Sequence, residues 1–350
     1  MKKVKHFFLL ISLLLLTTCD VHEWPDAPES VPFHLQLNYH TNMTEWNHLY
    51  DGSNVVEQNI GKTYDNARDY GKIRYVIRAY PILDKQRSSQ NYTKEFVIVR
   101  NLLDGYDHDV TLELPSGDYN MMVWSDLIES EGDSYFHESA NFSEIKLSDD
   151  HQGNTDYRDA FRGTGKISLI ADIREKLPDT LDITMERPLA KFEVITNDVK
   201  EFIEKETARA ASKAVQSGKE DVPTRVVNIQ DYKVVFYYVG FMPNTYSMNT
   251  DKPVDSTTGV IFESTLTKLD DSEATMGFDY LFVNGKESAV TIQIGLYDKE
   301  DTQLSLTDPI VIPIKRNHHT ILRGMFLMSE ASGGVSISPD YEGDHNLIIP

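Results

Sequence analysis

The chain has 350 residues, 40% of them apolar and 10% aromatic, enough for two packed domains at roughly 100–200 residues each. Its 55 acidic residues outnumber 34 basic ones, giving a net charge of −21, which argues against a nucleic-acid surface and against a face that docks on anionic lipid. Cys19 is the single cysteine, so no intramolecular disulfide can form, and stability outside the cell must come from packing and sheet hydrogen bonds.

Lys2, Lys3 and Lys5 precede an apolar run, Phe7–Leu16. That run has the length of a signal-peptide core and is too short to span a bilayer as a helix. It ends at Leu16-Thr17-Thr18-Cys19. A leader closing on a lone Cys resembles a bacterial lipoprotein signal, which is cut before the Cys, and the Cys is then acylated. On this resemblance residues 1–18 are a signal peptide and Cys19 is the lipidation site. Several acyl chains, at about 0.8 kcal/mol per buried methylene, would then tether the body stably to a membrane. Without its three leader lysines the chain would carry 31 − 55 = −24. Residues 19–30, with four acids and two prolines around Trp24, read as an acidic tether too polar to join a core.

Phe33–Tyr39 alternates apolar and polar residues, the period-2 pattern of a half-buried strand, and Pro32 sits harmlessly at its start. Thr41–Asp69 is polar and irregular and reads as a long loop. Lys72–Tyr80 alternates again, Phe96–Val99 is short and apolar, and Val110–Leu114 with Tyr119–Trp124 flanks a Pro-Ser-Gly-Asp turn. Gly163–Ile170 and Leu181–Met185 complete a first set of strands. Glu186-Arg187-Pro188 then punctuates the chain. Beyond it come the strand Ala190–Thr196 and the one good helix, Val199–Gln216. Asn197 or Asp198 can cap that helix, and Val199, Phe202, Ile203, Ala210 and Ala214 fall near one face. Tyr232–Gly240, Val260–Leu266, Gly277–Val283, Ala289–Tyr297, Ile310–Lys315 and Thr320–Met328 follow as strands, and Leu347–Ile349 is a short terminal one. Short alternating strands with a single helix predict an all-β fold: two tandem antiparallel β-sandwich domains, 31–186 and 187–350, with the helix in the second.

Three stretches carry a family resemblance: Met185–Asp198 (MERPLAKFEVITND), Leu114–Asp126 (LPSGDYNMMVWSD) and Ile312–Leu327 (IPIKRNHHTILRGMFL). Together with the leader they resemble the fimbrillin-like lipoproteins of the Bacteroidota, and among them the lipidated anchor subunits of fimbriae. The resemblance implies transthyretin-like sandwiches, a lipid anchor in the outer membrane facing the cell surface, and another fimbrial subunit as partner. It also implies joining by strand addition, in which an edge strand templates a strand of a neighbour. Phe33–Tyr39 and Leu347–Ile349 are the two strands that could take part, and both could equally be ordinary core strands. Stalk subunits of this kind are matured at an Arg, and the first Arg after the leader is Arg68, which fits a base that keeps its lipid.

No catalytic or cofactor site is expected. His318-His319 are neighbours on a strand and point to opposite faces, so they cannot share a metal ion without a bulge. Asp298–Asp301 lacks the glycine and terminal glutamate of a calcium loop. Asp107-His108-Asp109 has no nucleophile placed beside it. The alternative function is a surface glycan-binding lipoprotein, which needs an exposed aromatic platform. Trp46 with Tyr39 and Tyr50 is the one candidate, since Trp24 lies in the tether and Trp124 in a core strand.

Overall fold

The computed structural model describes residues 30–84, 87–88, 91–129, 136–148, 150–170, 179–216 and 227–328. Cys19, nearly all of the 19–30 tether and Leu347–Ile349 lie outside the described residues. The described chain is all-β with one α-helix, Val199–Gln216, the span its capping and apolar face predict. No helix among the described residues is long and apolar enough to cross a membrane.

Two sandwich cores organise the strands. In the first, Val31–Tyr39, His108–Leu114 and Asp179–Met185 form a three-stranded sheet. Its inward residues, Phe33, Leu35, Leu37, Leu112, Leu114 and Ile183, meet those of a second sheet. That sheet is built on Lys72–Asp84, Lys94–Asn101, Gly117–Ile128 and Ala160–Leu169. The alternation read from sequence is what delivers every second side chain to this core. In the second sandwich, Leu189–Thr196, Ala274–Phe282 and His318–Gly324 face Lys233–Tyr238, Glu287–Tyr297 and Ile310–Lys315. Most pairings are antiparallel, and three among the described residues are parallel.

Glu186 does not divide the sheets as the expected 31–186 and 187–350 boundary requires. Asn42–Tyr50 and Val55–Asp65 form a hairpin that crosses into the second sandwich, where Asn42–Tyr50 runs parallel to His318–Gly324. A smaller sheet likewise pairs Ile145–Leu147 with Met242–Ser247. The expected loop at Thr41–Asp69 is therefore mostly strand. Its alternation is broken because the register shifts between Thr44 and Trp46 and again between Asn47 and His48. A bulge displaces the next side chain by one position and hides the period-2 signal. On the strand Asn42–Tyr50, Met43, Trp46, His48 and Tyr50 end up buried.

Candidate assembly edge and the sandwich junction

The segment Asp156–Asp159 is the hub where the two sandwiches meet. A single 3-10 turn, Asp156–Arg158, is started by Thr155, whose hydroxyl accepts from the Tyr157 N–H at 3.3 Å. The tight turn sends consecutive side chains in different directions. Asp156 meets Arg68 at 2.6 Å and Lys191 at 3.1 Å, and accepts from the Tyr280 hydroxyl at 2.8 Å. Arg158 lies 3.0 Å from Asp279, both sealed from solvent. Asp279 also accepts from the Tyr238 hydroxyl at 2.6 Å and contacts His151 at 2.8 Å. Asp159 holds Arg187 through two parallel bonds of 2.6 and 2.8 Å.

Charges this deep persist only if paired and hydrogen-bonded. Burial pushes the Asp279 carboxyl up, but Arg158 and His151 more than offset it and leave it below the usual carboxylate range. The same balance, against Lys191 and Arg68, lowers Asp156. Arg187 also uses Asn317 Oδ1 at 2.5 Å and the Thr41 and Asn42 carbonyls at 3.3 and 3.4 Å. It therefore ties the start of the crossing hairpin to both sandwiches, and it lies over the Phe161 ring at 4.6 Å.

The segments that carried the family resemblance converge here. From the Trp-Ser-Asp strand, Trp124 is fully buried against Tyr246 and Phe282. Its neighbour Asp126 takes a bidentate bond from Arg74 at 2.8 and 2.5 Å. Burial nevertheless pushes Asp126 upward, Arg74 notwithstanding. Arg316 pairs with Asp251 at 3.0 Å. The hub itself carries no sequence signal, because Asp156-Tyr157-Arg158-Asp159 has the composition of an exposed turn.

The aromatic platform does not form. Trp46 is only 8% exposed and Tyr50 7%, while Tyr39 packs in the first sandwich against Tyr75, Tyr106 and Phe161. Trp46 instead lies edge-on to His48 at 4.7 Å, with Lys315 over its ring at 5.6 Å. His319 contacts Glu193 at 2.9 Å and Tyr64 at 2.8 Å, whereas the His318 ring sits beside the Arg316 carbonyl. Asp298 closes its turn by accepting from the Glu300 and Thr302 N–H groups. His108 lies against Arg100 at 3.0 Å, and burial lowers its pKa.

Of the two strands considered for subunit joining, Phe33–Tyr39 is paired on both sides, parallel to Asp179–Met185 and antiparallel to His108–Leu114. It is a central strand with no edge to offer. Of the several strands paired on one side only among the described residues, three differ in how open they are. His108–Leu114 is blunted, since Lys94 Nζ reaches the Glu113 carbonyl at 3.1 Å and Arg100 reaches the Asp107 carbonyl beside it at 3.1 Å. Val55–Asp65 is bulged against its neighbour. Lys94–Asn101 is regular: eight residues pair with Lys72–Ala79 without a shift, and on one side only among the described residues. Phe96 and Ile98 turn inward, while Val97 is 57% and Val99 45% exposed. A straight edge with apolar outward side chains is the form that most readily accepts another strand.

A profile of the family of unknown function DUF6562 matches residues 28–350. The chain belongs to that family. No curated protein matches it. Solved structures similar to this DUF6562 member include a candidate polysaccharide-binding protein (DUF1812) of Bacteroides thetaiotaomicron, at 12% identity and TM-score 0.39, covering 79% of this chain and 80% of that one. They also include the fimbrial anchor protein Mfa2 of Porphyromonas gingivalis, at 10% identity and TM-score 0.35, covering 79% and 82%. A candidate cell adhesion protein of Bacteroides ovatus, at 7% identity and TM-score 0.41, covers 85% and 94%.

Proposed function

We propose that this chain is a cell-surface subunit of the fimbrial or adhesin class, lipid-anchored in the outer membrane through Cys19. In this reading it binds a neighbouring fimbrial subunit by strand addition along Lys94–Asn101. The observation that carries the proposal is that edge: unbulged, open on one side among the described residues, and apolar outward at Val97 and Val99. The leader ending at Cys19 and the three fimbrillin-like segments support the class. A rigid body suits the base of a fibre, and the ion pairs around Asp156–Asp159 lock the two sandwiches together.

Two experiments test it. Cys19→Ala should release the protein from the outer-membrane fraction, and continued sedimentation in detergent-free buffer would contradict the anchor. Val97→Lys with Val99→Lys places charge on the outward face of an exposed edge, where the fold tolerates it and an incoming strand does not. The double variant should stay folded and lose co-purification of the fimbrial subunit from native membranes. Retention of that subunit would contradict the edge.

A further inference from the structure

Below the junction a cavity of about 310 Å³ opens between the two sandwiches. That is the lower end of the range for small-molecule sites, roughly 300–1,000 Å³. Its wall is cationic in a chain of net charge −21: Lys286, Lys315, Arg187 and Arg316 line it with His40, Asn317 and one acid, Glu186. The acids that balance the arginines do not line the cavity. Asp159 grips Arg187 and Asp251 grips Arg316 from outside the lining, which leaves Lys286 and Lys315 as the cations a ligand can reach.

Several groups on the wall are unused. Among the described residues no ion pair or hydrogen bond engages the side chain of Lys286 or of Glu186, and both residues are exposed. Among the described residues Lys315 lies over the Trp46 ring and makes one ion pair, with the exposed Glu287 at 2.8 Å, a surface contact that a ligand can displace cheaply. Arg187 has only donors and must face the Oδ1 of Asn317, which leaves the Asn317 amide N–H groups available. Asn317 is held by its left-handed backbone, φ 58°, and by an N–H bond to the Leu189 carbonyl at 2.9 Å. The position of that donor is therefore fixed by the fold.

A ligand that satisfies this wall needs one carboxylate for the lysines and several hydroxyl groups, which can donate to Glu186 and accept from Asn317. We propose that the cavity binds an acidic saccharide unit, with Lys286 and Lys315 on its carboxylate and Glu186 and Asn317 on its hydroxyls. The inference stands apart from strand addition, whose edge lies elsewhere on the first sandwich.

Calorimetric titration of the full chain in detergent at low salt, with trigalacturonate and with maltotriose as probes, tests it. Saturable binding of trigalacturonate is expected, at least tenfold tighter than maltotriose, weakened at least tenfold by Lys286→Ala and several-fold by Glu186→Gln. Both substitutions fall at exposed positions and should leave the melting curve unchanged. No saturable binding at millimolar trigalacturonate, equal binding of maltotriose, or binding unmoved by both variants would each overturn the proposal.

Discussion

Arg187 and Asp159 face each other in a bidentate ion pair sealed from solvent, with Nε–Oδ1 and Nη2–Oδ2 at 2.6 and 2.8 Å. One residue follows the last strand of the first sandwich and the other ends the turn that binds the second. Removing one partner leaves a buried charge alone, which typically costs about 3–5 kcal/mol. Arg187→Met should lower the melting temperature sharply. Asp159→Leu combined with Arg187→Met should recover part of the loss, since no lone charge remains. A double variant less stable than Arg187→Met would argue that the other bonds Asp159 accepts, from the Ala160 N–H at 3.0 Å and the Asn66 amide at 3.4 Å, outweigh the charge balance.

The crossing hairpin and the Ile145–Leu147 pairing with Met242–Ser247 lace the two sandwiches together. Thermal unfolding should accordingly be one cooperative transition. Trp124→Ala removes a fully buried ring at the contact between them, and should cost about 3–5 kcal/mol. Calorimetry that resolved two independent transitions, with only one moved by Trp124→Ala, would contradict this coupling.

The acid response has a definite sign. Burial, with help from Arg158 and Arg74, holds the His137 pKa well below its usual 6.5. Its folded form thus binds fewer protons than the unfolded chain, and stability must fall as pH drops below about 6.5. His48 and His108 are lowered too and act in the same direction. Asp279, Asp156 and Asp251 are depressed below 3.8, so their contribution is present above that pH and is lost as pH falls through their folded values. Asp126, pushed up by burial, opposes this, its own contribution being lost as pH rises. His137→Leu should flatten the stability profile between pH 6.5 and 5. Chemical denaturation across that range checks it, and an unchanged slope would show that His137 does not govern the acid response.

What was legible in the sequence follows from physical regularity. Phe33–Tyr39 and Lys72–Tyr80 alternate cleanly, because one face of each meets the first core. The helix is legible from its apolar face and from Asp198 at its start. The Asp198 carboxylate, however, takes the Thr196 hydroxyl and the Leu327 and Met328 N–H groups instead of the helix's own. Asn42–Asp65 was not legible, since bulges break its alternation and its outer strand is mostly exposed. The junction was hidden for a different reason: ion pairs between residues 28 to 121 positions apart, from Asp159–Arg187 through Asp156–Lys191 to Arg158–Asp279, leave no local pattern.

The proposed neighbouring subunit would lie along Lys94–Asn101. A photo-reactive amino acid at position 97, in living cells that display the fibre, tests it most directly. A covalent adduct to a fimbrial subunit is expected, lost when the crosslinker is moved to the inward-facing position 98. No adduct at 97, together with capture of that subunit from position 56 on the Val55–Asp65 edge, would contradict it.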